Sequence, residues 1–226
     1  MDFFNDLVTN PGITKAMWPA FIETMQMVAI AGVFTVIIGL PLGILLLNTS
    51  QDGLTPNKPL NVVLSGIIVN ITRSIPFAIL MVSLIPFAKL IVGVSLGPVA
   101  ASVSLTIGTI PFFARLVETA LREVSGGKID AALVMGSTKM QVIRKVLVPE
   151  AMPGIVAAGT TTLVTLIGYS AMAGLVGGGG LGRLAYNYGF QRYEPAIMVV
   201  TIVIMVVMVQ LVQVIGDRIA RVVDHR

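Results

Sequence analysis

The sequence contains a glycine-rich motif of a type that can bind phosphate. Gly177, Gly179 and Gly182 in "GGGGLG" have the spacing of a dinucleotide-binding fingerprint. That chemistry requires a preceding strand, a following helix and a cytosolic setting. Here the glycines follow a long apolar run, and no Gly-Lys-Ser/Thr sequence accompanies them. We therefore expect no nucleotide site and interpret the run as a hinge or, with slight preference, as a close approach between helices.

Ionisable residues that could perform catalysis are sparse. Apart from Arg115 and Glu118 near a predicted cytoplasmic helix end, the apolar runs contain only Glu23, Arg73 and Lys89. An intramembrane protease or lipid transferase would need ionisable groups at membrane depth, but the sequence offers no Ser/His or paired-Asp arrangement. Cysteine is absent and His225 is the single histidine, so we expect no metal site. The pattern predicts a protein that is not an enzyme.

Three of the charged residues have two possible roles. Arg73 lies 13 residues beyond Leu60, so a helix that begins at 60 places it inside the membrane, where a charge usually has a function. A span that begins at 74 places Arg73 only at the interface. Arg115 and Glu118 have i, i+3 spacing and can pair locally, which favours a structural role.

The composition predicts an all-α integral membrane protein. Of 226 residues, 55% are hydrophobic and 12% are charged, whereas soluble domains contain about 25% charged residues. Five apolar runs are long enough to span a bilayer, and the chain reads as a single domain, 1–226. Pro76 and Pro111, each in an "IPF" sequence, can kink their spans. The predicted spans are about 21–47, 60–92, 97–121, 152–176 and 195–216.

The basic residues predict the orientation of the chain. An odd number of spans puts the termini on opposite sides, and cytoplasmic loops are enriched in Lys and Arg. We expect the first span to be retained and not cleaved as a signal peptide. An external N-terminus then leaves four basic residues outside: Lys15, Lys89, Arg183 and Arg192. It places nine inside: Lys58, Arg122, Lys128, Lys139, Arg144, Lys145, Arg218, Arg221 and Arg226. Membrane topology thus accounts for the excess of basic over acidic residues, and we expect no nucleic-acid partner.

A charged segment between the third and fourth spans predicts a helical hairpin. Ile129, Ala132, Leu133 and Gly136 share one helical face, and Gly136 suits a left-handed helix end. A second helix begins with the capping-box pattern of Thr138 and Gln141. This second helix has the apolar positions Met140, Ile143, Val146 and Leu147. We expect Pro149 to stop it and Pro153 to begin the next span.

The spacing of this hairpin resembles the cytoplasmic EAA loop of ATP-binding-cassette (ABC) importer permeases. That loop reads E-A-A, three residues, Gly, nine residues, I-x-L-P. Here Asp130, Ala131 and Ala132 precede Gly136 by the same interval, and 146–149 reads V-L-V-P. Asp replaces Glu, and Val replaces Ile and Leu; the shorter acid puts the usual role of that carboxylate in doubt. Further stretches, such as "GYSAMAGLVGGGGLG", resemble methionine-importer permeases over about residues 60–217.

The resemblance implies a type I ABC importer transmembrane fold in a bacterial inner membrane. It implies a homodimer, two ATPase subunits that use ATP and magnesium, and an external substrate-binding protein, for which a lipoprotein is one form. The loop 122–150 would couple to the ATPase, and this chain would bind no cofactor. The coupling residues would be Asp130, Ala131, Ala132, Gly136, Met140, Ile143, Val146 and Pro149.

The same resemblance implies a gate on the fourth span. Met172 matches a methionine that lines the closed constriction in those permeases, and Tyr169 and Ser170 accompany it. Packing in a core is the alternative for Met172. The substrate is also open: L- or D-methionine, another small amino acid, or, in a different functional class, a passive channel or an assembly protein.

Overall fold

The computed structural model describes residue 10 and residues 12–224, so His225 lies outside the described residues. The described chain is helical throughout, with short connections. We number the helices in chain order: α1, Gly12–Thr49; α2, Lys58–Ser74; α3, Phe77–Ser83; α4, Ile85–Val92; α5, Pro98–Arg122; α6, Gly126–Val134; α7, 139–150; α8, Met152–Leu175; α9, 180–191; and α10, Pro195–Val223.

Four of these helices are long and apolar enough to cross a membrane: α1, α5, α8 and α10. A fifth span is obtained when α2 and α3 are counted together, although they meet at a bend of 99°. The segment 60–92, which the sequence predicts as one span, therefore contains parts of three helices.

Pro76 and Pro111, which both follow Ile and precede Phe, have different effects on the chain. Pro76 has an extended backbone, with φ −55° and ψ 129°, and separates α2 from α3. A proline disfavours helical backbone in the residue before it, so the break at Ile75 follows from the sequence. Pro111 instead lies within the continuous helix α5. Only the first of the two prolines interrupts its helix.

The chain divides into two compact units. Unit 1 contains residues 1–34, 75–108 and 163–212, and unit 2 contains 35–74, 109–162 and 213–226. The core of unit 1 includes Met27, Leu105, Leu166, Ile167, Leu181 and Ile197. The core of unit 2 includes Phe113, Val117, Leu121, Ile143, Leu147 and Ile155. The hairpin thus belongs to unit 2 and the glycine-rich run to unit 1.

Within unit 2, a buried hydrogen bond links α1 to α5. The hydroxyl oxygens of Thr35 and Thr109 are 2.7 Å apart, and both residues are fully buried. Apolar surface gives little drive to helix association in lipid, so buried hydroxyl pairs of this kind specify which helices pack together.

Candidate functional site

The first helix of the hairpin, α6, packs one side against unit 2 and exposes the other. Ala132 is buried, and Ile129 is half-buried against the apolar core of unit 2. Asp130 and Ala131 are exposed, as is Leu133. The predicted face is therefore confirmed at Ile129 and Ala132, whereas Leu133 lies at its edge.

Gly136 ends α6 in the conformation that the sequence predicts. Its φ is +85°, a left-handed value that side chains disfavour. The Ser137 N–H donates to the Ala132 carbonyl at 3.1 Å, and the Gly136 N–H donates to the Leu133 carbonyl at 2.9 Å. This pair of bonds is the Schellman motif, which satisfies carbonyls at a helix end.

The capping box at the start of α7 is confirmed. The Thr138 N–H donates to Gln141 Oε1 at 2.8 Å, and the Gln141 N–H donates to Thr138 Oγ1 at 3.4 Å. Residues three positions apart thus satisfy each other's backbone groups. The hairpin turn requires no distant partner for these bonds.

The apolar side of α7 differs from the predicted one at one position. Ile143 and Leu147 are buried and Val146 is half-buried, but Met140 is 56% exposed. Val142 is fully buried in its place. Val142 and Val146 are four residues apart and share one side of the helix, so the side of α7 that packs is rotated towards Val142 and away from Met140.

The prediction that Pro149 stops the second helix is wrong. The helical run continues through Val148–Glu150 and breaks at Ala151. Pro149 lies in the first turn of this last helical stretch, where a backbone N–H is not needed. The other proline prediction is confirmed, since Pro153 lies in the first turn of α8.

Ion pairs surround the base of the hairpin. The predicted local pair is confirmed: Arg115 donates to Glu118 at 2.6 Å, and Arg122 donates to the same carboxylate at 2.8 Å. Glu118 is only 3% exposed, so two guanidinium groups compensate its burial. Arg115 also donates to Ser65 and Asn70 of α2.

Arg73 lies apart from that network. It is exposed on the last turn of α2, one turn beyond Asn70. Within residues 12–224, its side chain makes no hydrogen bond or ion pair.

The residues of the predicted gate point in different directions from α8. Met172 is 38% exposed, which does not fit a buried core residue. Ser170 is buried and donates to the Ile167 carbonyl at 2.7 Å. Tyr169 stacks on Phe77, with ring centroids 3.9 Å apart. Of the three, Met172 is the one available to a partner or to a path.

The glycine-rich run makes a close contact with α1, as the favoured interpretation predicts. The Gly180 N–H donates to the Glu23 carboxylate at 2.6 Å, and the Leu181 N–H donates to the Thr24 hydroxyl at 2.8 Å. These two side chains cap the first turn of α9. A Cβ on Gly182 would overlap the backbone of Ala171. Sequence reasoning missed Glu23 and Thr24 as partners of this run, because they lie 157 positions away.

Comparisons with known proteins agree with this arrangement. The family model described as "Binding-protein-dependent transport system inner membrane component" matches residues 39–226. The chain is 57% identical over 204 residues to a probable D-methionine transport system permease protein of Vibrio cholerae, covering 90% of each chain. It is 51% identical over 162 residues to the D-methionine transport system permease protein of Escherichia coli K12, covering 72% of each.

Solved structures show the same fold. An inward-facing conformation of the MetNI methionine ABC transporter has a TM-score of 0.90 at 49% identity, covering 92% of this chain and 96% of that one. An amino acid ABC transporter crystallised with histidines has a TM-score of 0.78 at 21% identity, a likeness of fold alone. The predicted all-α importer fold is confirmed.

Proposed function

Because the chain belongs to the family of inner-membrane components of binding-protein-dependent transport systems, we propose that it is the permease subunit of an ATP-driven methionine importer. It is a transport subunit and not an enzyme. The match to a methionine ABC transporter in both sequence and fold, over nine-tenths of each chain, is the observation that carries the proposal. The coupling-loop spacing in the same chain is not required of a passive channel or an assembly protein.

The substrate is methionine, in its D form as the relatives' names indicate and in its L form as well. The spanning helices are apolar and offer few groups that could hold a polar substrate tightly. Such a path suits weak, transient contact during transport. An external binding protein would then supply most of the selectivity, and another small amino acid is the alternative substrate.

The working assembly contains two copies of this chain, because a two-fold pair can enclose a path between them. Two ATPase subunits bind ATP and magnesium on the cytoplasmic side, and a substrate-binding protein docks outside. The N-terminus is external and the C-terminus cytoplasmic in a bacterial inner membrane, as the distribution of basic residues indicates.

The hairpin transmits ATP-driven movement to this chain. Its tip exposes three large apolar side chains, which suits insertion into a cleft of the ATPase: Val134 is 88% exposed, Met135 80% and Met140 56%. Asp130 and Ala131 lie exposed on the same hairpin, whereas Ile129 and Ile143 pack against the core of unit 2. An exposed apolar tip on a self-capped turn has the properties of a docking element.

Met172 closes the path. It lies on the exposed side of α8, the helix that leaves the hairpin, next to the small residues Ala171 and Ala173. Two such thioether side chains, one from each protomer, would seal an apolar constriction and separate when the helices move apart. A Met172→Cys variant should form a disulfide with its symmetry mate in the resting transporter. Failure to crosslink would contradict this role.

Uptake of labelled methionine by proteoliposomes that contain all subunits tests the proposal. We expect ATP-dependent uptake, blocked by Gly136→Asp and retained by Gly136→Asn, which has similar size, tolerates a left-handed backbone and carries no charge. The Asp variant should insert and dimerise but bind the ATPase poorly. Normal uptake by Gly136→Asp would contradict the coupling role, and uptake of another amino acid in preference to methionine would contradict the substrate.

A further inference from the structure

Unit 1 contains a cavity of about 510 Å³ between α1 and α9, a volume within the range of small-ligand sites. From α1 it is lined by Ala16, Pro19, Ala20 and Glu23, which recur at helical spacing. The α9 side contributes Leu184, Arg183 and Asn187, and Arg192 follows just beyond that helix. The cavity thus combines an apolar wall with charges of both signs.

The charges that line this cavity do not neutralise one another. One oxygen of the half-buried Glu23 carboxylate accepts the Gly180 N–H, and the other has no partner among residues 12–224. Arg183 makes no ion pair or hydrogen bond in the described chain, and Arg192 lies over the Tyr188 ring, 4.4 Å from its centroid. A carboxylate and two guanidinium groups therefore face one space without bridging it.

Lipid is a poor match for this cavity. The exposed aromatic side chains of the same helices form separate stacked pairs, Trp18 with Phe21 and Tyr186 with Phe190, each with centroids 5.6 Å apart. Trp18 and Phe190 are 67% and 60% exposed, and neither lines the cavity. Such exposed aromatics are typical of helix surfaces at the lipid headgroup level. None of the four stacked aromatic residues lines the cavity.

We propose that this cavity binds a free amino acid in its zwitterionic form. The α-ammonium group would bind the open oxygen of Glu23, and the α-carboxylate would bind Arg183 and Arg192, because guanidinium groups hold carboxylates with strong, directional hydrogen bonds. An apolar side chain would lie against Pro19, Ala20 and Leu184. That this amino acid is methionine rests on the proposed function.

Equilibrium binding of radiolabelled methionine to the purified permease–ATPase complex, without the binding protein, tests the site. Glu23→Gln keeps an oxygen acceptor for the Gly180 N–H and removes the charge, and Arg192→Gln removes one guanidinium. Each should weaken binding at least roughly tenfold, the effect of losing one hydrogen bond to a charged group. Arg218→Gln, an exposed change in α10 outside the cavity, should bind as wild type.

Two substrate analogues sharpen the assignment. Methioninol lacks the carboxylate, and 4-(methylthio)butanoate lacks the ammonium group. Wild type should discriminate methionine from both, Glu23→Gln should lose discrimination against the butanoate, and Arg192→Gln should lose discrimination against methioninol. This crossed pattern assigns each charged group of the ligand to a residue, because a substitution and a ligand change have non-additive effects on binding only when the two groups are in contact.

Three results would overturn the inference: no methionine binding without the binding protein, equal weakening by Arg218→Gln, or analogue discrimination that neither variant changes. A lipid headgroup would be the occupant instead if the purified complex bound no methionine but retained phosphatidylethanolamine, and if the Glu23→Gln variant lost that lipid. The proposed function is tested separately: the full wild-type transporter could take up methionine even if the permease–ATPase complex alone bound none in this cavity.

Discussion

The hairpin of α6 and α7 and the glycine-rich run both enter a short helix after a glycine with positive φ, but the first turns of these helices are capped by different means. In the hairpin, Thr138 and Gln141 cap each other across three positions. At α9, Glu23 and Thr24 provide the caps from α1, 157 positions away. The hairpin turn can keep its structure when it moves, whereas α9 depends on its contact with α1. This difference agrees with the proposed coupling role of the hairpin and with the proposed ligand site beside α9.

The largest expected effect concerns the sides of the membrane on which the two regions lie. The chain contains no cysteine, and Val134 and Tyr193 are similarly exposed, at 88% and 85%. A single cysteine at Tyr193 should react with an impermeant maleimide in intact cells, and one at Val134 should not react until the membrane is opened. The reverse pattern would refute both the orientation and the cytoplasmic position of the hairpin.

The next effect distinguishes a glycine required by close packing, Gly182, from a glycine required by its backbone conformation, Gly136. Gly182→Ala places a Cβ into the backbone of Ala171, which cannot yield as a flexible side chain would. We expect little folded protein, measured as monodisperse yield in detergent. Gly136→Ala meets no atom within 4 Å and faces only backbone strain, about 1–2 kcal/mol. A Gly182→Ala variant as stable as Gly136→Ala would show that the contact with α8 is dispensable.

A smaller effect compares the two kinds of cap. Thr24→Val removes a buried acceptor that the Leu181 N–H uses, and Thr138→Val removes an exposed one. An unsatisfied buried N–H costs about 1–3 kcal/mol, whereas water replaces the exposed acceptor and the loss of the cap costs about 1 kcal/mol. Thermal melting of the detergent-purified protein should therefore fall further for Thr24→Val. Equal shifts would contradict the contrast between local and distant caps.

The hairpin was predictable from the sequence because its stabilising contacts are local. The left-handed glycine, the capping box and Ile143 with Leu147 all follow from neighbouring residues. Met140 was mispredicted because apolar residues cover more of α7 than the side that packs, so the pattern alone does not choose between Met140 and Val142. Pro149 was mispredicted because the helical run continues one residue beyond it.

The cavity and the caps of α9 could not be predicted in this way. Glu23 looked like an isolated charge near the end of a span, and nothing in its neighbourhood indicates Gly180. Hydrophobic composition alone predicted the four long apolar helices. The 99° bend in the second predicted span was predicted only as a kink at Pro76. Contacts between α1 and α9 thus determine the cavity and the caps, whereas the break in the second predicted span begins at a proline that the sequence shows.

The smallest expected effect concerns the ion pair at the base of the hairpin. Lys128 Nζ lies 2.6 Å from Glu150, but the two side chains are 52% and 31% exposed. Exposed pairs gain little, because water screens the attraction and two long side chains must be ordered. Lys128→Gln should therefore change stability by less than about 1 kcal/mol and leave uptake near wild type. Glu118→Gln is the matched contrast, since it removes a carboxylate that is only 3% exposed and binds two guanidinium groups. We expect it to destabilise by about 1.5–3 kcal/mol, the value of hydrogen bonds to a charged group. Equal shifts of the melting temperature for both variants would show that the exposed Lys128–Glu150 pair matters as much as the buried Glu118 network. The local caps of the hairpin turn would then not suffice to explain the stability of the hairpin.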